Sequence, residues 1–264
     1  ASGTQIIDEL GRAHLETGKL IVYTSADSVF QIAAHESLVP PEQLYDYCRI
    51  AREMLSGDLA VGRVIARPFV DDFRGGFIRT ENRRDFSLLP PPGGLLASCR
   101  AAGRPVVAIG KIHDVFAGQD ISVSMPGHNN RQTAASLVRA LKSPVSGLIF
   151  ANFVDFDTLY GHRNDSQGYG RALEEFDLLL SQVLDELLDE DILVICADHG
   201  NDPTLGGTDH NREYVPLLVY GEPVRPVALG IRATFADLGQ TAAAYLNAAP
   251  LPAGKSFLEQ LRQN

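Results

Sequence analysis

Aspartate and histidine residues recur at three places in the C-terminal half of the sequence. They are Asp157 with His162, the adjacent pair Asp198 and His199, and finally His210. Carboxylates and imidazoles are ligands of divalent ions such as Mn²⁺ or Zn²⁺. Adjacent side chains at a sharp strand exit point in different directions, so Asp198 and His199 can serve two ions at once. The spacing predicts a two-ion centre, which could clamp a phosphoryl group between nucleophile and leaving group.

Each of these residues also has an ordinary structural interpretation. A single histidine at a strand end is more often a structural or surface residue than a ligand. The Asp-His-Gly tripeptide at residues 198–200 is, by itself, a weak signal. The metal interpretation depends on the joint occurrence of all three groups at the ends of predicted strands.

Apolar runs separated by helical stretches must position these residues. Strands are predicted at residues 105–110, 147–153, 191–197 and 215–220, and helices at 132–141, 169–188 and 235–246. Apolar strands alternating with helices predict an α/β domain with a largely parallel sheet buried on both faces. Ligands gather at the carboxyl ends of such strands, so the three loops should deliver their side chains to one rim.

The N-terminal part has a different pattern. Helices are predicted at residues 2–14 and 41–55, and strands at 19–24, 61–67 and 76–80, the last as the hairpin partner of the one before. The proline- and glycine-rich stretch 88–96 then breaks regular structure. We therefore predict two domains, residues 1–92 and 93–264, the first smaller and of α+β type.

Composition limits the classes of partner. The formal charge of −10 argues against nucleic acid, although local arginines can still bind a small phosphorylated substrate. No apolar run reaches the roughly 18–20 residues that span a bilayer, so we expect no membrane partner. The N-terminus lacks signal-peptide character, and three cysteines without paired spacing are typical of a reducing, cytoplasmic protein.

Several longer motifs make the sequence similar to the alkaline phosphatase superfamily, and within it to the phosphopentomutase family. The core motifs are VDFD at 154–157, YGHRN at 160–164, ADHGNDPT at 197–204, GTDH at 207–210 and REYVP at 212–216. The N-terminal motifs are ASGT at 1–4, YTSADSVFQ at 23–31 and ARPF at 66–69. The resemblance extends over essentially the whole chain.

The resemblance implies a fold and a site. It implies an alkaline phosphatase-like core with a smaller cap domain that binds the sugar phosphate. It assigns Asp157, His162 and His210 to one metal, Asp198 and His199 to a second, and manganese as the ion. It assigns these residues to substrate binding: Ser25, Asp27, Arg63, Ile65, Arg79 and Lys111.

The resemblance also implies a reaction, the interconversion of ribose or deoxyribose 1-phosphate and 5-phosphate through a phosphoenzyme, with a bisphosphate activator. The family's phosphoryl-carrying threonine lies on an N-terminal core segment that has no match in this sequence, and Thr4 is not that nucleophile. We therefore expect no catalytic nucleophile in this chain, little turnover by the chain alone, and an N-terminal companion fragment as a partner.

Two alternatives remain open at this point. One is a phosphohydrolase or a cofactor-independent phosphoglycerate mutase on the same metal core. The other is a non-catalytic fragment that binds a sugar phosphate or a partner chain.

Overall fold

The structure, a computed structural model, describes residues 3–25, 29–73, 75–143, 146–207 and 210–262. Its contacts divide the chain into two units, Ala1–Leu89 and Pro90–Asn264. The predicted domain boundary, after residue 92, lies three residues beyond this division. The roles that the sequence assigns to the two domains stay predictions.

The first unit is built on a five-stranded mixed sheet. Its strands are β1 (Ile21–Ser25), β2 (Val29–His35), β3 (Arg63–Asp71), β4 (Phe77–Arg79) and β5 (Arg84–Ser87). The order is β1-β2-β3, and both β4 and β5 pair with β3. The β2–β3 pair is parallel and the other pairs are antiparallel.

Two helices cover opposite faces of this sheet, α1 (Gly3–Thr17) and α2 (Pro41–Met54). Alternate side chains of a strand point to opposite faces, so neighbouring residues of β3 enter different cores. Val64 packs with Leu44 of α2, whereas Phe69 packs with Ile7 of α1. Apolar burial on both faces is what holds the sheet between its helices.

The second unit contains a parallel three-stranded sheet, with β6 (Val106–Ile109) between β7 (Val123–Met125) and β8 (Leu148–Ala151). A separate antiparallel pair is formed by β9 (Leu193–Cys196) and β10 (Leu217–Tyr220). Its helices are α3 (Leu95–Ala101), α4 (Ile112–Val115), α5 (Asn130–Leu141), α6 (Ser166–Leu184), α7 (Ala236–Tyr245) and α8 (Leu258–Leu261). All four residues of β6 are buried, as a continuous apolar strand requires.

The α/β class expected from the sequence is confirmed, and its predicted strands and helices are present with boundaries shifted by a few residues. The β9–β10 pair departs from the expected parallel arrangement. The chain leaves β9, forms an isolated bridge between Gly200 and Asn211, and returns along the same edge. Such a return needs no crossover helix, so the pair is antiparallel. No helix in the described ranges is long and apolar enough to cross a membrane.

Candidate metal centre

The loop after β8 is tied to the start of α5. The backbone N–H of Asn130 donates to the Asp155 carboxylate at 2.9 Å, and the N–H of Asp155 donates to the Asn130 side-chain oxygen at 3.1 Å. This reciprocal pair fixes the direction in which the chain leaves the strand. The backbone position of the residues that follow Asp155, including Asp157, is therefore defined.

Asp157 and His162 lie in two successive short helical turns. Asp157 belongs to the π-helical turn Phe156–Tyr160, and His162 to the 3₁₀ turn Gly161–Arg163. The Asp165 side chain then accepts from the N–H of Gly168 at 2.8 Å and begins α6. π-Helical turns are uncommon and occur often at functional sites. Here the turn places one carboxylate and one imidazole side by side.

His199 and His210 are brought together by the bridge between the residues that follow them, Gly200 and Asn211. A Cβ atom on Gly200 would overlap the backbone of Asn211, so this approach requires glycine. The two imidazole rings stack with their centroids 3.7 Å apart and an interplanar angle of 22°. The β9–β10 connection thus pairs two potential ligands.

Asp157 is the point where the groups meet. Its Oδ1 lies 3.1 Å from His210 Nε2, and its Oδ2 lies 3.3 Å from His162 Nε2. Asn201 donates from Nδ2 to the same Oδ1 at 2.6 Å. Residues from the loops after β8 and β9 therefore converge on a single carboxylate.

Asp157, His199 and His210 can offer ligand atoms that all lie within 4.8 Å of one another. One carboxylate and two imidazoles form a ligand set suited to a divalent ion. The Nδ1 atom of His199 lies 3.2 Å from the Gly200 carbonyl oxygen, a contact that can fix the ring and leave Nε2 for a metal. The residues present fit a divalent metal.

Three of the five predicted ligands lie together, and they come from both of the expected sets. His199, expected with Asp198, is grouped with Asp157 and His210, while His162 contacts Asp157 at its other oxygen. The Asp198 side chain is 74% exposed, and its Oδ1 lies 3.7 Å from His199 Nε2. The division of the ligands between two ions stays a prediction.

Burial and nearby acidic residues shift the pKa values of two groups around the centre. Burial, followed by the charges of Asp157 and Asp202, raises the pKa of Tyr169. Burial, followed by the charge of Asp198, raises the pKa of Cys196. Both neutral forms are therefore favoured, first because burial disfavours the charged form and second because acidic groups lie nearby.

The predicted substrate residues do not all lie on one element or in one unit. Arg63 and Ile65 of β3 and Arg79 of β4 share one face of the first unit's sheet, because β3 alternates and Arg79 pairs with Phe69. Ser25 ends β1 in register with Val29, but its side chain lies outside the described part, as does all of Asp27. Lys111 belongs to the second unit, where it is exposed at the start of α4. Their role in binding stays a prediction.

Sequence reasoning missed Asn201 and Gly161 as site residues. A Cβ atom on Gly161 would overlap the Asn201 side chain, so this glycine leaves the space from which Asn201 reaches Asp157. Both residues lie inside motifs already singled out, at 160–164 and 197–204. Their place inside these motifs is the only sequence feature that could have identified them. The motifs do not specify a contact between the two loops.

Comparison with known proteins gives consistent results. Residues 101–250 match the model of the metalloenzyme superfamily. The chain is 54% identical to a phosphopentomutase of Caldanaerobacter subterraneus subsp. tengcongensis over 99% of this chain and 66% of that protein. It is 55% identical to one of Desulfitobacterium hafniense (99% and 67%) and 53% identical to one of Symbiobacterium thermophilum (100% and 67%). The chain spans about two thirds of the length of these relatives, and the expected resemblance is confirmed.

Proposed function

Because the chain belongs to the phosphopentomutase family of the metalloenzyme superfamily, we propose that it takes part in interconverting ribose 1-phosphate and ribose 5-phosphate, or their deoxy analogues. It contributes the metal-binding residues and a sugar-phosphate-binding surface to this reaction. The observation that carries the proposal is the convergence of Asp157, His199 and His210 within ligand distance of one another.

The chain's own residues prepare the site for two divalent ions, which we propose to be Mn²⁺. Asp157, His162, Asp198, His199 and His210 are the ligands. Asn201 donates a hydrogen bond to Asp157 and so orients its carboxylate. When bound, the ions supply positive charge that neutralises the phosphoryl oxygens and favours ionisation of an attacking hydroxyl.

Most of the proposed substrate-binding residues lie in the first unit. The guanidinium groups of Arg63 and Arg79 can each form paired hydrogen bonds with phosphate oxygens. Ile65, buried beside them, supplies an apolar contact for the sugar. Ser25, Asp27 and Lys111 complete the proposed set through hydroxyl, carboxylate and ammonium groups.

The phosphoenzyme step and the bisphosphate activator belong to the same proposal. The phosphoryl-carrying threonine is expected in the third of the relatives' length that this chain does not span.

Cys48, Cys99 and Cys196 are free thiols, which agrees with the cytoplasm as the proposed compartment.

A metal-binding measurement on the 264-residue chain tests the centre. We expect isothermal titration calorimetry to show Mn²⁺ binding that weakens at least about tenfold in Asp157→Asn, which removes one charged ligand. Asp177→Asn, an exposed position of α6, is the matched control and should bind like the parent chain. Equal Mn²⁺ affinity in Asp157→Asn and the parent chain would contradict the assignment.

A ligand comparison tests the substrate class. We expect the chain to bind ribose 5-phosphate more tightly than 3-phosphoglycerate or free ribose. Preference for 3-phosphoglycerate would favour a phosphoglycerate mutase, and equal weak binding of all three compounds would argue against a sugar-phosphate site.

A further inference from the structure

One face of the first unit's sheet carries polar side chains that the preceding assignments leave out. Arg67 follows Arg63 and Ile65 at alternate positions of β3 and therefore points to the same face. On the neighbouring strands, Tyr23 pairs with Gln31, and Gln31 pairs with Ile65. Paired residues share a face, so all five side chains belong to one surface, on the face of the sheet that α1 covers in part at Phe69.

The charges on this surface are not balanced among the described residues. Arg83 donates two hydrogen bonds of 2.7 Å to the Asp85 carboxylate, and Arg63 lies 3.6 Å from the same group. Asp85 is therefore already shared. Neither Arg67 nor Arg79 has an ion-pair partner in the described part of the chain.

Two buried polar atoms on this surface have no hydrogen-bond partner within the described ranges. They are the Tyr23 hydroxyl oxygen and Arg79 Nε. The Tyr23 residue is only 7% exposed. A buried polar group without a hydrogen bond is unfavourable, so we expect a bound ligand to supply hydrogen bonds to these two atoms.

A hydrogen bond to Gln31 orients the Arg67 side chain. Its Nε donates to the Gln31 side-chain oxygen at 2.9 Å, and Gln31 is itself buried. Burial, followed by the nearby Arg83, lowers the pKa of Arg67, and Arg79 lowers the pKa further, while Tyr23 and Asp85 oppose the shift. Arg67, Tyr23 and Arg79 are thus close enough to interact electrostatically, and an anion would relieve the repulsion between the two guanidinium groups.

We propose that Arg67, oriented by Gln31, and the Tyr23 hydroxyl bind the phosphoryl group of the pentose phosphate together with Arg63 and Arg79. This inference rests on the proposed function and adds two binding residues to it. The terminal nitrogens of Arg67 donate to phosphate oxygens, and the Tyr23 hydroxyl donates one further hydrogen bond. The bound anion satisfies the Tyr23 hydroxyl and balances the paired cations.

Calorimetric titration of the 264-residue chain with ribose 5-phosphate, inorganic phosphate and ribose tests this. We expect Arg67→Gln to weaken ribose 5-phosphate binding at least about tenfold, as expected for loss of charge-assisted hydrogen bonds. Tyr23→Phe should weaken it roughly threefold to tenfold, because only one hydrogen bond is lost. Arg67→Lys, which keeps the charge without the fork, should recover part of the loss. Ribose binding should be unchanged in all three variants.

Arg84→Gln is the matched control. Arg84 pairs with Ala66, which points to the opposite face, and its guanidinium lies over the rings of Tyr45 and Phe86. This variant removes the same charge from the same sheet and should bind ribose 5-phosphate within about twofold of the parent chain, as exposed charges are screened. An equal loss in Arg84→Gln and Arg67→Gln would overturn the inference, because it would indicate only a net-charge effect.

The outcomes separate this inference from the proposed function. If the parent chain binds ribose 5-phosphate no better than ribose, the proposed substrate class fails. If Arg79→Gln weakens phosphate binding while Arg67→Gln and Tyr23→Phe do not, only the further inference fails. Should Arg67→Gln unfold the chain, Tyr23→Phe decides, since it removes a single oxygen atom; unchanged binding in that variant overturns the inference.

Discussion

At the scale of single residues, the candidate centre depends on how one carboxylate is surrounded. Oδ1 of Asp157 accepts a hydrogen bond from Asn201 and lies beside His210 Nε2, and Oδ2 lies beside His162 Nε2. The Asn201 amide carries no charge, so it can orient the carboxylate without competing for the metal. The contact exists only because Gly161 leaves room for it. A residue without a side chain therefore controls the geometry of a ligand.

Replacing Gly161 by alanine should weaken Mn²⁺ binding by about tenfold or more, because the new methyl group displaces Asn201 from Asp157. Calorimetry on the purified chain measures the effect. Gly170→Ala is the control, since a Cβ there meets no atom within 4 Å. Alanine at that position of α6 should raise helix stability by up to about 1 kcal/mol and leave Mn²⁺ affinity unchanged. Parent-like affinity in Gly161→Ala would remove Asn201 from the metal centre.

At the scale of elements, the sequence predicts the long helices and the continuous apolar strand β6, but it misses β2 and β7. The predicted helices at 41–55 and 169–188 correspond to α2 and α6. By contrast, β2 was not predicted. Nearly all its residues are buried, because α1 and α2 cover both faces of the sheet, so the strand has no alternating pattern to recognise. Strand β7 has three residues, too few to show any pattern.

The candidate site shows the same limit. Sequence position placed Asp157, Asp198 and His210 on loops next to predicted strands, and the structure brings the first and last of these together. The Asn201–Asp157 hydrogen bond joins residues 44 positions apart. Contacts of this kind depend on how two loops fold against each other, which local propensity and periodicity do not encode.

The packing of α2 yields a prediction about stability. Leu44 is fully buried against Val64 and Cys48, so Leu44→Ala should reduce the free energy of unfolding by roughly 2–5 kcal/mol through lost burial and a cavity. Ile50 lies on the same helix but is 55% exposed, and Ile50→Ala should change stability by no more than about 0.5 kcal/mol. Urea denaturation followed by circular dichroism compares the variants. Similar losses in both would mean that α2 does not pack through Leu44.

At the scale of the whole molecule, the proposed metal ligands and the proposed phosphate-binding arginines lie in separate units. The proposed metal ligands all belong to Pro90–Asn264, whereas Arg63, Arg67 and Arg79 belong to Ala1–Leu89. Acidic groups near the centre favour cations, while the arginine-bearing face of the first sheet favours anions. Each ligand should consequently stabilise the unit that binds it.

Hydrogen exchange in the presence of Mn²⁺ tests that separation. At about one hundred times its dissociation constant, a ligand stabilises the folded unit by roughly 2.7 kcal/mol, which slows globally controlled exchange about a hundredfold. We expect this slowing at the buried amides of β6, in the unit that holds the metal ligands, and not at Val64–Ala66 of β3. Asp157→Asn should abolish most of the effect, and sodium chloride at equal ionic strength should not reproduce it. Equal slowing in β3 and β6 would show that the two units unfold together, against the proposed separation. Undiminished slowing in Asp157→Asn would show that Mn²⁺ stabilises the chain from somewhere other than the proposed centre.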